Sequence, residues 1–503
     1  MDGIRSFMGL PFSAEGMVMP SYAEVLGAVL GITVSYYALY AAYCLTLHPL
    51  AKYPGPKLAA ITRLWHAYHL VRGTQIQALC DAHEKYGPVV RTAPNEVVFT
   101  SSQAWEDIYG FRPGKGEMSK NVPDYQNAAT PQSIISAEKD AHRFYRRLLS
   151  KGFSDATLRQ QESVFEEKID LLVKALRDEA VQGKRPDMTH WFGFGTFDIL
   201  GELAFGESFG CLEKSAFHPW VAIIFQMAKW GGISQALAYY PFLLPLANRL
   251  FLGSMAEKGA VHEKLNREMV QKRMVKKNHP KDLLSELLDP KHNLTQAEID
   301  IHFSTIVLAG SETTNVALCA VIYYLARNPL AKARVIQEIR GGFASADEIT
   351  AISTKKLSFM QACLTEALRK FPPSAVVFPR RVPPGGDYID GNWIPGDMQV
   401  GICVFCAHNS SLNFRDPQQY VPERWLGDER YKDDDRQAMQ AFSYGPRNCL
   451  GQNLAKTELR LILARFIWEF DWELTPGTGD WDQTLVFRGW VKKPLKLVLT
   501  PVR

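Results

Sequence analysis

Residues Phe442-Ser443-Tyr444-Gly445-Pro446-Arg447-Asn448-Cys449-Leu450-Gly451 set one cysteine in a tight, glycine-flanked loop just ahead of an apolar helical pattern. Glycines at 445 and 451 permit backbone geometry that a side chain forbids. Backbone N–H groups at a helix start favour negative charge on sulfur, and Arg447 supplies a cation suited to a buried carboxylate. The setting therefore suits a thiolate held against a metal, although a lone cysteine is commonly a small buried hydrophobe. A rival pattern overlaps it: Ala441-Phe442-Ser443-Tyr444-Gly445 nearly matches the nucleophile elbow of serine hydrolases. That elbow needs a buried strand before the serine, and Asp433-Asp434-Asp435-Arg436-Gln437 is a polar loop.

With 503 residues and 46% hydrophobic content, the chain can bury a large core. The length alone is compatible with two or three domains. A net charge of +4, with no dense basic stripe interleaved with aromatics, argues against nucleic acid as a partner. The cysteines at Cys44, Cys80, Cys211, Cys319, Cys363, Cys403, Cys406 and Cys449 are scattered among apolar neighbours. This pattern predicts reduced thiols in the cytosol rather than a disulfide framework. Cys403-Val404-Phe405-Cys406 lacks a second ligand pair and reads as a buried strand.

Val25 to Leu47 carries no charged residue. As a helix it spans roughly 35 Å against about 30 Å of hydrocarbon, which predicts a transmembrane anchor. Lys52, Lys57 and Arg63 follow it, while Arg5 stands among Asp2, Glu15 and Glu24 before it. The positive-inside rule then leaves the C-terminal body in the cytosol, where the acceptor patterns at Asn293 and Asn409 stay unmodified. His48-Pro49-Leu50-Ala51-Lys52-Tyr53-Pro54-Gly55-Pro56 reads as a stiff, extended connection. The division expected is an N-terminal lumenal segment (1–24), an anchor (25–47), a proline-rich hinge (48–58) and a catalytic domain (59–503).

Thr295-Gln296-Ala297-Glu298 forms a capping box opening an apolar run that continues to Asn328, where Pro329 stops it. Such a helix, roughly 48 Å long, crosses a whole domain. Ala309-Gly310-Ser311-Glu312-Thr313-Thr314 interrupts its middle with a glycine and β-branched residues. Weakening a buried helix at one point suggests that something packs there; the alternative is that the threonine hydroxyls bond back to their own helix. Glu366 and Arg369, three apart on a helix ending before Pro372, share one face. His142-Arg143-Phe144-Tyr145-Arg146-Arg147 is a basic helical stretch whose simplest reading is a solvated face. Short strands are expected around Val376–Phe378, Tyr388–Ile389 and Val400–Phe405.

These segments together resemble the cytochrome P450 family from about residue 48 to the end. The cysteine loop fills every fixed position of F-x-x-G-x-R-x-C-x-G. Ala309 to Thr314 matches A-G-x-[DE]-T-T, while Glu366 and Arg369 with Pro422-Glu423-Arg424-Trp425 match E-x-x-R and P-E-R-W. His142 and Arg146 stand in an H-x-x-x-R that replaces W-x-x-x-R, and the wording around the hinge is similar to that of microsomal filamentous-fungal members. The resemblance implies a mainly α fold with small β-sheets, preceded by the transmembrane helix. It implies haem b, with iron on Cys449, and a haem setting that includes Phe442, Gly445, Gly451, Ala309, Gly310, His142, Arg146 and Arg447. Arg380 or Arg381 would hold a propionate. Thr313 and Glu312 would handle protons during O₂ activation, and Glu366, Arg369 and Arg424 would lock the cysteine loop.

By the same resemblance the chain is a monooxygenase in the endoplasmic reticulum membrane, oxidising a lipophilic secondary-metabolite intermediate. No P-loop, dinucleotide loop or zincin pair is present, so electrons would come from an NADPH–cytochrome P450 reductase, docked on a patch including Arg143, Arg147 or Lys456. Desaturation, cyclisation or oxidative coupling on the same scaffold, and a non-enzymatic haem sensor, are the competing readings. Phe111–Ser136 is expected to cover the haem. Phe217–Phe251 either roofs the substrate site or packs as plain helix. Val376, Val377, Phe378 and Leu485–Trp490 are candidate pocket lining.

Overall fold

The capping box at Thr295 does what its spacing dictates. The Thr295 hydroxyl accepts from the Glu298 backbone N–H, the Glu298 carboxylate accepts from the Thr295 N–H, and a 32-residue helix runs from Gln296 to Arg327. A computed structural model of the chain describes residues 21–120, 125, 131–243, 245, 249, 253–276 and 283–503. Residues 1–20 of the expected lumenal segment, Leu244, and parts of the Phe111–Ser136 and Phe217–Phe251 stretches lie outside these.

The chain divides into two compact units, residues 1–52 and 53–503. In the first, helix α1 (Tyr22–Thr46) opens with its own capping box, Ser21 to Glu24. It exposes Leu26, Leu30, Ile32 and Leu39, an apolar surface that fits a membrane anchor.

In the second unit, four helices position the site: α2 (Lys139–Ser150), α3 (Met188–Phe205), α4 (Gln296–Arg327) and α5 (Ser358–Lys370). A fifth, α6 (Gln452–Glu469), follows the cysteine loop. Helix α4 is apolar enough to cross a bilayer, but most of it is buried by the rest of the chain, so it is a core helix. It lies against α3 through matched polar contacts: Asn315 Nδ2 donates to the Thr189 carbonyl at 3.0 Å and Ser311 Oγ to the Thr196 carbonyl at 3.3 Å.

A five-stranded sheet holds the other side. Its strands are β1 (Val89–Ala93), β2 (Glu96–Phe99), β3 (Ser119–Lys120), β4 (Arg380–Arg381) and β5 (Gln399–Ile402), in the spatial order β1-β2-β5-β4-β3. β2 and β5 run parallel, while the other neighbours are antiparallel, with Lys120 opposite Arg380. Hairpin Asp387–Ile389/Asn392–Ile394 and the pair Phe470–Leu474/Leu497–Pro501 complete the small sheets.

Three expectations need correction. The strand expected at Val376–Phe378 forms at Arg380–Arg381 instead; of the earlier run, Val377 makes an isolated bridge to Cys403. The strand expected through Cys406 ends at Ile402, and Val404–His408 is a short helix; periodicity cannot separate a short apolar strand from a buried helical turn. Cys80 and Cys406 are joined as a disulfide, their Cα atoms 5.2 Å apart and 326 residues apart in sequence, so the thiols are not all reduced. Scattered spacing carried no sign of a pair made by tertiary folding alone. The connection that reads as stiff is tied down at its end: the Pro54 carbonyl accepts from Arg91 N–H at 2.8 Å, and a Cβ on Gly55 would lie 2.2 Å from the Arg91 carbonyl oxygen.

Candidate active site

Cys449 sits on the floor of a cavity walled by α4 on one side and by the segment from Leu368 to Arg380 on another. Its N–H donates to the Phe442 carbonyl at 2.8 Å, closing the loop. Cys449 is exposed where Cys44, Cys211, Cys319, Cys363 and Cys403 are buried, yet burial raises its thiol pKa. Its open surface therefore faces the cavity and not bulk water. The Gly451 N–H and Arg146 push the other way without winning. The Gly451 N–H thus acts on the sulfur in the direction its place in the loop leads one to expect, and a bound metal cation would act in the same direction.

The two loop glycines differ. Gly445 has φ +71°, and a Cβ there would lie 2.0 Å from the Tyr109 carbonyl oxygen. Gly451 has φ −83°, and its Cβ would meet only the Phe153 ring at 3.8 Å. The expectation that both forbid a side chain holds at 445 and fails at 451. Gly451 and Phe442 line the cavity; Gly445 stands behind it, against Tyr109. The segment before Ser443 is loop and short 3₁₀ turn, which leaves no strand for a nucleophile elbow.

One rim of the cavity is cationic. His142 and Arg146 from α2, Lys120 from β3, Arg380 from β4 and Arg447 from the loop all line it. Burial first, then Arg380 and Arg447, bring the Lys120 ammonium down to about 6. Burial and the four neighbouring cations push His142 down to about 3. Glu117 answers Arg447 with two oxygens, at 2.8 and 3.2 Å, and Arg447 also donates to the Ala137 carbonyl at 2.7 Å. Arg146 donates to the Asn448 carbonyl at 2.7 Å and feels the Cys449 sulfur. Of Arg380 and Arg381, Arg380 is buried on the cavity with Nη1 2.6 Å from Tyr125 Oη, and Arg381 is exposed.

Ala309, Gly310, Thr313 and Thr314 form the facing wall. Something does pack at the glycine: a Cβ on Gly310 would lie 2.8 Å from Leu200 Cδ2 of α3. Both threonines also bond back to their own helix, Thr313 to Ala309 at 2.8 Å and Thr314 to Gly310 at 2.9 Å. Glu312 does not line the cavity. It pairs with Lys492 of the C-terminal segment at 2.8 Å, while burial still holds its carboxyl above the usual range.

Behind the floor, Glu366, Arg369 and Arg424 meet with fully buried side chains. Glu366 accepts from Arg369 at 2.8 and 2.9 Å, from Arg424 at 3.2 Å, from Trp425 Nε1 at 2.9 Å and from Val421 N–H at 3.0 Å. Arg424 reaches a second carboxylate, Asp434, so two cations face two anions.

Sequence reasoning missed Lys120, Asp434 and Lys492. Lys120 had no local pattern, and Asp434 was one of three aspartates in what read as a polar loop. Of the expected lining, Phe378 faces the cavity together with Pro373 and Ser374, whereas Val376, Val377 and Leu485–Trp490 do not. Trp490 stacks on Phe371 at 4.1 Å instead.

A thiol on the floor, a basic rim and apolar walls fit the donor set of an iron porphyrin with two carboxylates. Fold and site thus define the haem-thiolate class of oxygen-activating enzymes. The chain belongs to the cytochrome P450 family, whose model matches residues 54–501. It is 54% identical over 483 residues to the cytochrome P450 monooxygenase cpaH of Aspergillus oryzae, covering 96% of this chain and 95% of that one. It is 39% identical over 468 residues to the monooxygenase aclL of the same species, covering 92% and 95%. An averantin hydroxylase of Dothistroma septosporum is 39% identical over 510 residues, covering 99% and 94%.

Proposed function

We propose that this P450 monooxygenase hydroxylates a lipophilic intermediate of fungal secondary metabolism, using O₂ and electrons from an NADPH–cytochrome P450 reductase. The observation that carries the reading is Cys449 opening onto a buried cavity between a cationic rim and the Thr313 wall. The hydroxylase among the relatives supports the reaction type.

Haem b, bound there, supplies oxygen activation at iron. The chain does the rest. Cys449 would hold the iron through its sulfur, and Arg146 would offset the charge there. Arg380, Arg447 and Lys120 would hold the propionates, with neutral His142 as a hydrogen-bonding partner. Phe442 and Gly451 shape the cavity beside Cys449, and Ala309 and Gly310 allow close approach on the facing wall. Gly445 and the Glu366–Arg369–Arg424 cluster keep the loop in place. Thr313 delivers a proton when its hydroxyl turns from the Ala309 carbonyl to the cavity, and Glu312 refills it after parting from Lys492. Helix α1 anchors the protein in the endoplasmic reticulum membrane with residues 1–24 in the lumen, and exposed Arg143, Arg147 and Lys456 face the reductase.

The test is comparative mass spectrometry of metabolites from cells carrying wild-type or Cys449→Ala protein. A compound that accumulates in the variant, with a missing partner ~16 mass units heavier, supports hydroxylation. A partner ~2 units lighter, or isomeric, replaces it with desaturation or cyclisation.

A further inference from the structure

Three helices meet on one imidazole behind the cavity wall. Trp220 lies at the start of helix Pro219–Ala238 and is fully buried, its ring packed on Phe205 and Phe209 with centroids 5.9 and 5.6 Å away. An indole N–H in such surroundings needs a partner. It donates to Nδ1 of His262, on helix Gly253–Val275, at 2.8 Å. The other ring nitrogen, Nε2, lies 2.9 Å from Ser304 Oγ on α4.

The chemistry of the donors fixes how these bonds run. An indole N–H only donates, so His262 Nδ1 carries no proton. The ring is neutral, with its proton on Nε2 and given to Ser304. Burial acts in the same direction, lowering the pKa of the ring. One turn along, Asn266 Nδ2 donates to the Asp300 carbonyl at 2.8 Å and Arg267 Nε to the Asp300 carboxylate at 3.1 Å. The step from His262 to Asn266 matches the step from Ser304 back to Asp300, so the polar pairs follow one seam between two helices of opposite direction. Sliding either helix would leave the buried Trp220 and Asn266 donors unpaired, so the seam favours a single register. Ser304 directly precedes Thr305 and Ile306, which line the cavity together with Ala309, Gly310 and Thr313 further along α4.

We propose that His262 is a positioning residue: as a neutral imidazole with its proton on Nε2, it carries the placement of Trp220 to Ser304 and fixes from behind the stretch of α4 that begins the cavity wall at Thr305 and Ile306. It acts through Ser304 and does not itself line the cavity; the wall's part in the reaction rests on the function proposed above.

The test uses the full-length, haem-loaded protein. His262→Gln keeps one acceptor and one donor on a single side chain, His262→Leu removes both, and Ser304→Ala removes the acceptor on α4. Phenylimidazole, whose free ring nitrogen ligates haem iron from the cavity side, is titrated by its visible spectrum. Its Kd should rise several-fold in His262→Leu and in Ser304→Ala, no further in the double variant, and not in His262→Gln. Hydrogen exchange of residues 299–308 of α4, followed by mass spectrometry, should quicken several-fold in the same two variants and stay at the wild-type rate in His262→Gln. Unchanged exchange in His262→Leu and Ser304→Ala overturns the proposal. So do additive effects of the two substitutions, or a Gln variant as loose as Leu. A wild-type protein that binds no haem overturns the functional reading instead, and the exchange rates then still decide for or against His262. Ser304→Ala, which removes a single oxygen, supplies the answer where His262→Leu does not fold.

Discussion

Glu312 lies 2.8 Å from Lys492, so the acid next to Thr313 is turned to the C-terminal segment while the threonine faces the cavity. Two adjacent residues of α4 thus look into different surroundings. Lys492→Met removes a charge that favours ionised Glu312, and its carboxyl, already above the usual range through burial, moves higher. A donor acid with a higher pKa keeps its proton to higher pH. The alkaline limb of the turnover profile is therefore expected to shift upward. Profiles of wild type and variant that superimpose count against a protonated Glu312 in turnover.

Glu366→Ala leaves Arg369 and Arg424 in the interior with Asp434 as the remaining carboxylate. Breaking a buried charge network by removing one member costs about 3–5 kcal/mol. The expected result is little folded, haem-loaded protein, read as the ratio of haem to polypeptide after purification. A normally loaded variant shows that the cluster does not hold the cysteine loop.

The loop glycines give a paired prediction. Gly445→Ala forces a Cβ against the Tyr109 backbone at a positive φ, and haem loading should collapse. Gly451→Ala meets only ordinary contact with Phe153, so its thermal midpoint should stay close to wild type, within about 0.5 kcal/mol in stability. Equal damage from both substitutions contradicts the geometry described for the loop.

Acid should weaken the fold through buried histidines. His83 is held down to about 4, chiefly by burial. As pH falls below the ordinary histidine value, the unfolded chain takes up a proton that the folded chain refuses. Stability present above about pH 6.5 is then lost progressively toward pH 4, by about 2 kcal/mol at pH 5 for this group. His83→Gln removes the titration, and its thermal midpoint should fall less than that of wild type between pH 7 and pH 5. Parallel curves argue that His83 charges freely in the folded state.

The parts that were legible in the sequence are those whose partners lie close along the chain. Thr295 and Glu298 form their cap within one turn, Glu366 and Arg369 share a helix face, and Cys449 announces its loop through its neighbours. What the sequence did not disclose was made by distant segments meeting. Lys120 joins the rim because β3 pairs with β4. Asp434 is selected from three consecutive aspartates by the position of Arg424, and Lys492 reaches Glu312 across 180 residues. The disulfide joins helices that only the folded core brings together.

Tyr109 touches both ends of the reaction space. Its backbone oxygen is what a side chain at Gly445 would strike. Its hydroxyl donates to the Phe378 carbonyl at 2.7 Å and accepts from Ile402 N–H at 3.2 Å. One residue, by its backbone on one side and its hydroxyl on the other, is therefore a gauge block between the cysteine loop and a wall of the cavity. A shift of the backbone at Phe378 is therefore passed toward the cysteine loop through Tyr109, whereas Ile134 and Ile135 border the cavity outside this linkage.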